Sequence, residues 1–277
     1  MRVYLMTDLE GVVGVWGWDK RDDDTQDNFS YRMRVRALLA EEVNAAVRGF
    51  FDGWATQVVV NDGHGAGTNL DPEALDPRIT LIQGRERPFW LPLLDDSFDA
   101  TALVGAHAMA GTPFANLSHS MSGAIRRYTF NGTPHGEIGM QAMIAGHWGV
   151  PMIFLAGDWY ACREVEGFIS GIETVATKQG LSSLSHVALT PQAAREAIAK
   201  KACKAIGKVG QIQPYGVGEP LTFREERYEA AFDAENPPEA GSVIDSHTRQ
   251  IEADDIIDLF HQYYGYAAEQ PQAQELG

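Results

Sequence analysis

Short apolar runs alternate with helically spaced apolar residues over the first 180 positions, a pattern that predicts a sheet with helices packed on it. Arg2 to Thr7 reads as a strand stopping at Asp8-Leu9-Glu10-Gly11. A polar, Asp-rich stretch follows (Asp19 to Ser30), with Asp22-Asp23-Asp24 expected in a solvated loop. Val35, Leu39, Val43, Val47 and Phe51 then recur every four residues, placing them on one face of a helix that Gly53 ends. Gln57 to Val60 and Ala100 to Val104 are further strands, running into Asn61-Asp62-Gly63-His64 and Gly105-Ala106-His107. Ile125 to Phe130, Asn131-Gly132 and the residues from Pro134 onward predict a hairpin. Gly136 to His147 is helical in composition, Pro151 to Leu155 strand-like, and Asp158 is a natural N-cap for another helix.

The last hundred residues differ. Thr190-Pro191 reads as a cap with proline at the first helical position, opening a helix to about Ile206. A Gly- and Pro-rich link (Gly207 to Pro220) leads to alternating residues in Leu221 to Tyr228 and again in Ser242 to Glu252. Ala253 to Ala267 reads as a closing amphipathic helix. The expected architecture is α/β: a mainly parallel sheet with helices on both faces over residues 1–180, and a smaller α+β portion over 181–277 packed on it.

Composition narrows the function. The 277 residues carry 22 Lys plus Arg against 38 Asp plus Glu, a net charge of −16. Nucleic acids and anionic membranes are recognised through clustered positive charge, so neither is expected as a partner. The longest apolar run, Met152 to Ala156, is far too short to span a bilayer. Only Val3 to Met6 are apolar before Asp8, leaving no room for a secretory signal, so a cytoplasmic location is expected. Cys162 and Cys203 cannot make a disulfide framework.

Three predicted strands end on residue types that bind metal: Asp8 and Glu10, Asp62 and His64, and His107. In open α/β sheets ligands bind at the carboxyl ends of strands, so these side chains are expected to share one crevice. Asp8 and Glu10, one residue apart in an extended chain, point the same way. Carboxylates brought together repel unless a cation or a proton intervenes. With imidazoles added, the donor set suits Zn²⁺, Mn²⁺ or Co²⁺ better than Ca²⁺ or Mg²⁺.

Five short motifs, in order and spacing, carry a family resemblance. They are Thr7-Asp8-Leu9-Glu10-Gly11, Val60-Asn61-Asp62-Gly63-His64, Gly105-Ala106-His107, Ser118-His119-Ser120-Met121 and Gly136-Glu137-Ile138-Gly139. Together they resemble the M55 peptidases, the D-aminopeptidases of the bacterial dipeptide-transport operon, over nearly the whole chain. Thr7 stands where the family usually has serine, which keeps the hydroxyl. The resemblance implies a dinuclear zinc site on Asp8, Glu10, His64, His107 and Glu137, with Asp8 bridging the ions. It implies His119 as the catalytic histidine, handling protons or stabilising developing charge beside the metals. It further implies an aminopeptidase for short peptides with N-terminal D-residues; attack on the carbonyl by a metal-bound water is the physically simpler route, and His119 as the nucleophile is the alternative. Its assembly would be a homodecamer of two stacked pentameric rings.

His135, His147, His186, His247 and His261 are expected in packing or surface roles. Asp62 is read equally as orienting a ligand histidine or as a turn residue. Trp16, Trp18, Trp90 and Trp148 are expected in core or subunit contacts, with a pocket wall as the other possibility. Two rival functions stand beside the peptidase: a catalytically silent peptide-binding or assembly protein on the same scaffold, and another dinuclear amidohydrolase or phosphoesterase. The last needs basic phosphate-binding residues, for which only Arg126 and Arg127 offer themselves.

Overall fold

Two sheets take up the strands of the computed structural model, which describes residues 1–20 and 22–267. In chain order the elements are β1 (Arg2–Thr7), α1 (Gln26–Asp52), β2 (Gln57–Asn61), β3 (Thr80–Ile82), β4 (Ala100–Ala106), β5 (Ile125–Phe130) and β6 (Thr133–Pro134). They continue with α2 (Glu137–His147), β7 (Met152–Asp158), α3 (Trp159–Glu166), β8 (Glu173–Ser182), β9 (Ser185–Ala188) and α4 (Pro191–Ile206). The last are β10 (Leu221–Arg227), β11 (Ser242–Asp245), β12 (Thr248–Ala253) and α5 (Ile256–Tyr264).

The larger sheet has the order β3-β2-β1-β4-β7-β8-β9, parallel except for β9. Its central strands are apolar runs such as Val58-Val59-Val60, buried on both faces as parallel strands must be. From β1 the chain steps one way to β2 and β3, whereas from β4 it steps the other way to β7 and β8. Right-handed crossovers then put α1 on one face and α2 with α3 on the other. Helix α4 packs along α1. The expected α/β class with helices on both faces is what the chain adopts.

The smaller sheet, β11-β12-β10-β5-β6, is antiparallel. It draws strands from both sides of residue 180, while β8 and β9, which meet near that position, belong to the larger sheet. Its β5–β6 hairpin runs directly into α2, so this sheet sets where that helix begins.

Three local differences from the sequence reading have physical causes. Helix α1 starts at Gln26, inside the polar stretch, because the Thr25 hydroxyl accepts from Asn28 N and caps it there. Helix α5 is shorter than the residues 253–267 read as helical. Ala253 is still paired in β12, Asp255 caps the helix, and left-handed Gly265 ends it. The hairpin of β8 and β9 was not anticipated, because residues such as Thr177, Lys178 and Gln179 give β8 no apolar run.

At the crevice between β1 and β4 two backbones nearly touch. Asp8 N donates to Val104 O, and Gly11 N donates to Gly105 O at 2.7 Å. A Cβ on Gly105, whose φ is +85°, would stand 1.9 Å from Asp8 O; one on Gly11 would stand 1.9 Å from Ala106 O. Gly132, in the β5–β6 turn, has a similar φ of +79° and nothing within 4 Å. Gly132→Ala is therefore expected to cost about 1 kcal/mol, the strain of a left-handed residue. Gly105→Ala adds an unrelieved backbone clash and should cost more than about 3 kcal/mol. Denaturant unfolding of the two variants checks this; equal losses would contradict it.

Candidate active site

The carboxyl ends of β1, β2 and β4 converge where the chain reverses its direction of travel through the sheet, the usual ligand crevice of an open α/β fold. Asp8 and Glu10 follow β1, His64 follows β2, His107 follows β4, and Glu137 opens α2. His119 enters from the long segment between β4 and β5. All six residues singled out from the sequence come together, in two adjoining triads.

In the first triad, His64 Nδ1 lies 3.1 Å from both Asp8 Oδ1 and Glu10 Oε2. In the second, His107 Nε2 lies 3.4 Å and His119 Nε2 3.8 Å from Glu137 Oε1. Asp8 joins them, because its other oxygen, Oδ2, is 3.2 Å from His107 Nε2. The His107 and His119 rings stack at 3.9 Å. Potential ligand atoms within each triad lie within 4.8 Å of one another, close enough to surround one ion.

The tautomers follow from the neighbours, since a carbonyl can only accept. His107 Nδ1–H donates to Ala108 O and His119 Nδ1–H to Leu117 O, which turns each Nε2 toward the carboxylates. Glu10 Oε2 and His107 Nε2 are buried and make no hydrogen bond. Polar atoms seldom accept that state without a further partner, and here both face opposite charge. Carboxylate and imidazole donors of this kind fit a divalent ion of the zinc type.

Electrostatics agree. Burial pushes Asp8 up from the usual carboxylate range, and Glu10 pushes it further. Burial would also raise Glu10, but His64, His107 and His119 outweigh it and hold Glu10 well below. In Glu137, His107 and His119 overcome the same burial and bring the carboxyl down to about 2. Burial would lower His107, yet Asp8 and Glu137 raise it to about 10; Glu10 and Asp8 likewise raise His64.

Each arm has its own support. Asp62 is buried and accepts from Asn69 N, Asn69 Nδ2, Leu70 N and Gln83 Nε2, while Asn69 Nδ2 also donates to His64 O. It shapes the loop around His64 through that backbone contact. Arg87 donates to Asn61 Oδ1, Asp62 O and Gly63 O, clamping the same loop. The far nitrogen of His64 faces Asp19 Oδ2 at 3.9 Å, and Asp19 is held by Arg32 at 2.7 Å. Glu137 Oε1 accepts from Met121 N, tying α2 to the His119 segment.

Lys178, from β8, is buried beneath the first triad. Its Nζ donates to Glu10 O, to Val15 O at 2.6 Å and to Asn116 Oδ1 at 2.7 Å. Burial lowers it to about 8, against the pull of Asp158, Glu10, Glu42 and Asp8. Neither Lys178, Asn116 nor Asp19 was found from the sequence; no motif marks a lysine in a strand as buried.

The remaining histidines lie elsewhere. His135 is buried against Phe168 and bonded to Tyr215 Oη, and burial lowers it to about 4. His147 sits beside Glu219 and Asp255, His247 is exposed, and His261 Nδ1 bonds Tyr266 O. Trp18, half exposed, sets its ring edge-on to His119 at 5.2 Å. Trp90 lines a small cavity behind the centre with Asp8, His107 and Glu137. Arg126 and Arg127 are exposed on β5, Arg127 beside Glu226.

The chain presents an open α/β sheet with a buried carboxylate–imidazole centre at its crevice, and comparison with known proteins makes this enzyme a peptidase. The chain belongs to the M55 family of D-aminopeptidases, whose sequence profile matches residues 1–263. It is 34% identical over 215 residues to the D-aminopeptidase of Bacillus subtilis (strain 168), covering 77% of each chain. Its fold superposes, with a TM-score of 0.87, 30% identity and 96% coverage of both chains, on the zinc-dependent D-aminopeptidase DppA from Bacillus subtilis, described as a self-compartmentalizing protease.

A pH dependence follows for protein stripped with chelator. His107 titrates at about 10 in the fold against an ordinary 6.5, so its contribution to stability is complete below pH 6.5 and fades as pH rises toward 10. Glu137, at about 2 against 4.5, contributes fully above pH 4.5 and fades as pH falls toward 2. The thermal midpoint of stripped wild type should therefore fall between pH 6.5 and 10, and fall less in His107→Gln. A midpoint that rises over that range would contradict the charge pairing.

Proposed function

We propose that this protein is a dinuclear zinc aminopeptidase that removes N-terminal residues, preferentially D-residues, from short peptides or aminoacyl amides. The observation that carries the reading is the pair of adjoining triads joined by Asp8, with Glu10 Oε2 and His107 Nε2 buried and lacking hydrogen bonds. In this reading Asp8, Glu10 and His64 hold one ion, while Asp8, His107 and Glu137 hold the other. Three carboxylates offset most of the charge of two divalent ions. When bound, such a pair lowers the pKa of a shared water and polarises the scissile carbonyl.

The chain's own groups do the rest. Asp8 divides its oxygens between the two halves of the centre. His119, held through Nδ1 by Leu117 O, keeps Nε2 free to take or give a proton beside the reacting carbonyl. Trp18 walls the approach on the His119 side. Preference for a free amino terminus of D configuration rests on the family and on the relatives that carry that name.

The assembly in this reading is a homodecamer of two pentameric rings that encloses the sites and admits only short peptides. The similar DppA is a self-compartmentalizing protease, and here Leu181, Leu184, Val187 and Leu189 expose an apolar strip on the β8–β9 hairpin, with Phe114 exposed in the segment beside it. Among the described residues no helix is long and apolar enough to cross a membrane; the reading places the enzyme in the cytoplasm on the lack of an apolar segment before Asp8.

Elemental analysis of the purified protein is expected to find about two zinc ions per chain, with chelation abolishing hydrolysis of a D-aminoacyl amide. Asp8→Ala should lose both ions, whereas a change at Glu10 or Glu137 should lose chiefly one. Retention of both by Asp8→Ala would remove its bridging role.

His119→Ala is expected to keep zinc and fold while kcat falls about 10²–10⁴-fold and KM moves little. Loss of zinc in this variant would instead make His119 a ligand beside His107. An unchanged kcat would leave it no part in the reaction.

A further inference from the structure

Lys178 lies 168 residues from Glu10 in sequence, yet the two meet under the active centre. Its ammonium is buried, and the three acceptors it reaches, Glu10 O, Val15 O and Asn116 Oδ1, are all uncharged. Asp158, Glu10, Glu42 and Asp8 attract the ammonium, but none of their carboxylates bonds it, so its burial is only partly offset, and a methionine would fill the same space without burying a charge. What the lysine adds is geometry: three protons, spent on two separate segments of the active site.

One of those segments is the Glu10 loop. Beyond Thr7 the chain leaves the β1 ladder, and the Glu10 carbonyl has no strand partner. Lys178 supplies one, and the adjacent Thr177 Oγ1 donates to Gly11 O at 2.9 Å. Together they hold the turn that aims the Glu10 carboxylate at His64.

The other segment carries His119. Asn116, fully buried, gives its oxygen to Lys178 and its nitrogen to Ser183 O at 2.9 Å. Leu117, buried with a left-handed φ of +54°, donates its N–H to Ser183 O and offers its carbonyl to His119 Nδ1. A β-region leucine would turn that carbonyl away, and a left-handed one persists only where its neighbours hold it. Lys178 therefore sits where the support of Glu10 in the first triad meets the support of His119 beside the second.

We infer that Lys178 is a positioning residue that locks the Glu10 loop and the Asn116–His119 segment in register, so that zinc binding and proton transfer occur at one fixed geometry. The inference rests on the proposed zinc site. Its expected signatures are specific. Lys178→Met should weaken zinc retention by about 10–100-fold, the usual effect of losing a group that orients a metal ligand. Asn116→Ala leaves the Lys178 bonds to Glu10 O and Val15 O in place but removes the acceptor of Lys178 together with the bonds to Ser183 O and Trp16 O, so it should keep zinc but lower kcat about tenfold or more with KM little changed.

Zinc content after dialysis against graded chelator, together with kcat and KM for one D-aminoacyl amide, tests this on wild type and both variants. Circular dichroism and sedimentation verify that each variant is folded and assembled. Wild type without zinc would overturn the zinc site itself. Wild type with zinc, beside a folded Lys178→Met of equal retention and kcat, would overturn the role of Lys178 alone. If Lys178→Met does not fold, Asn116→Ala beside Asn116→Asp decides: a lowered kcat with zinc intact that Asn116→Asp restores, since it keeps an acceptor for Lys178, supports the inference, and a kcat unchanged in Asn116→Ala or equally lowered in both overturns it.

Discussion

Three carboxylates, Asp8, Glu10 and Glu137, stand around one buried centre, and their mutual repulsion is the constraint that the rest of the site answers. Removed from water, like charges this close are tolerated only when positive charge lies between them. The imidazoles of His64, His107 and His119 are placed for that purpose, and the opposed shifts of Glu137 and His107 express the same attraction from its two ends. Donors of this kind suit divalent cations, which bring more charge in less space than protons on histidine.

Such a centre needs rigid walls, and the fold supplies them from several directions. Gly105 and Gly11 let the end of β4 and the loop after β1 approach more closely than any side chain would permit, which brings Asp8 and His107 within reach of each other. Arg87 and Asp62 brace the His64 loop from one side of the sheet, and Lys178 braces the Glu10 loop from the other. The smaller sheet contributes indirectly. Its β5–β6 hairpin delivers the chain to Gly136, where α2 begins and Glu137 turns inward. It is thus part of the active-site framework.

Function and fold meet at the switch between β1 and β4. A crevice there is a geometric consequence of strands leaving in opposite directions, whatever chemistry later fills it. What specialises it here is the choice of residues on loops that the sheet holds still: carboxylates after β1, imidazoles after β2 and β4, and a carboxylate at the start of α2. His119 arrives on the long excursion between β4 and β5, and its position depends on strained Leu117 and on Met121, which donates to Glu137.

The amino-acid sequence by itself determined the strands β1, β2, β4 and β7, the helices α1 to α4, and Asp8, Glu10, His64 and His107 as metal-type side chains at strand ends, while Glu137 and His119 stood out only through the family resemblance. These are local properties: apolar runs, a four-residue period, caps such as Thr190-Pro191, and acidic or imidazole residues just past strand ends. Strand β8 escaped because Thr177 and Lys178 are polar yet wholly enclosed, and enclosure is not written in any short stretch of residues. Only the tertiary structure decided that Asp8 joins two triads, that Asp19 backs His64, and that Lys178 ties Glu10 to Asn116. Each of these depends on contacts between segments that share no neighbourhood in sequence. A hydrogen bond across 168 residues is fixed by how the whole sheet is ordered, because that order alone brings β8 under the loop that follows β1.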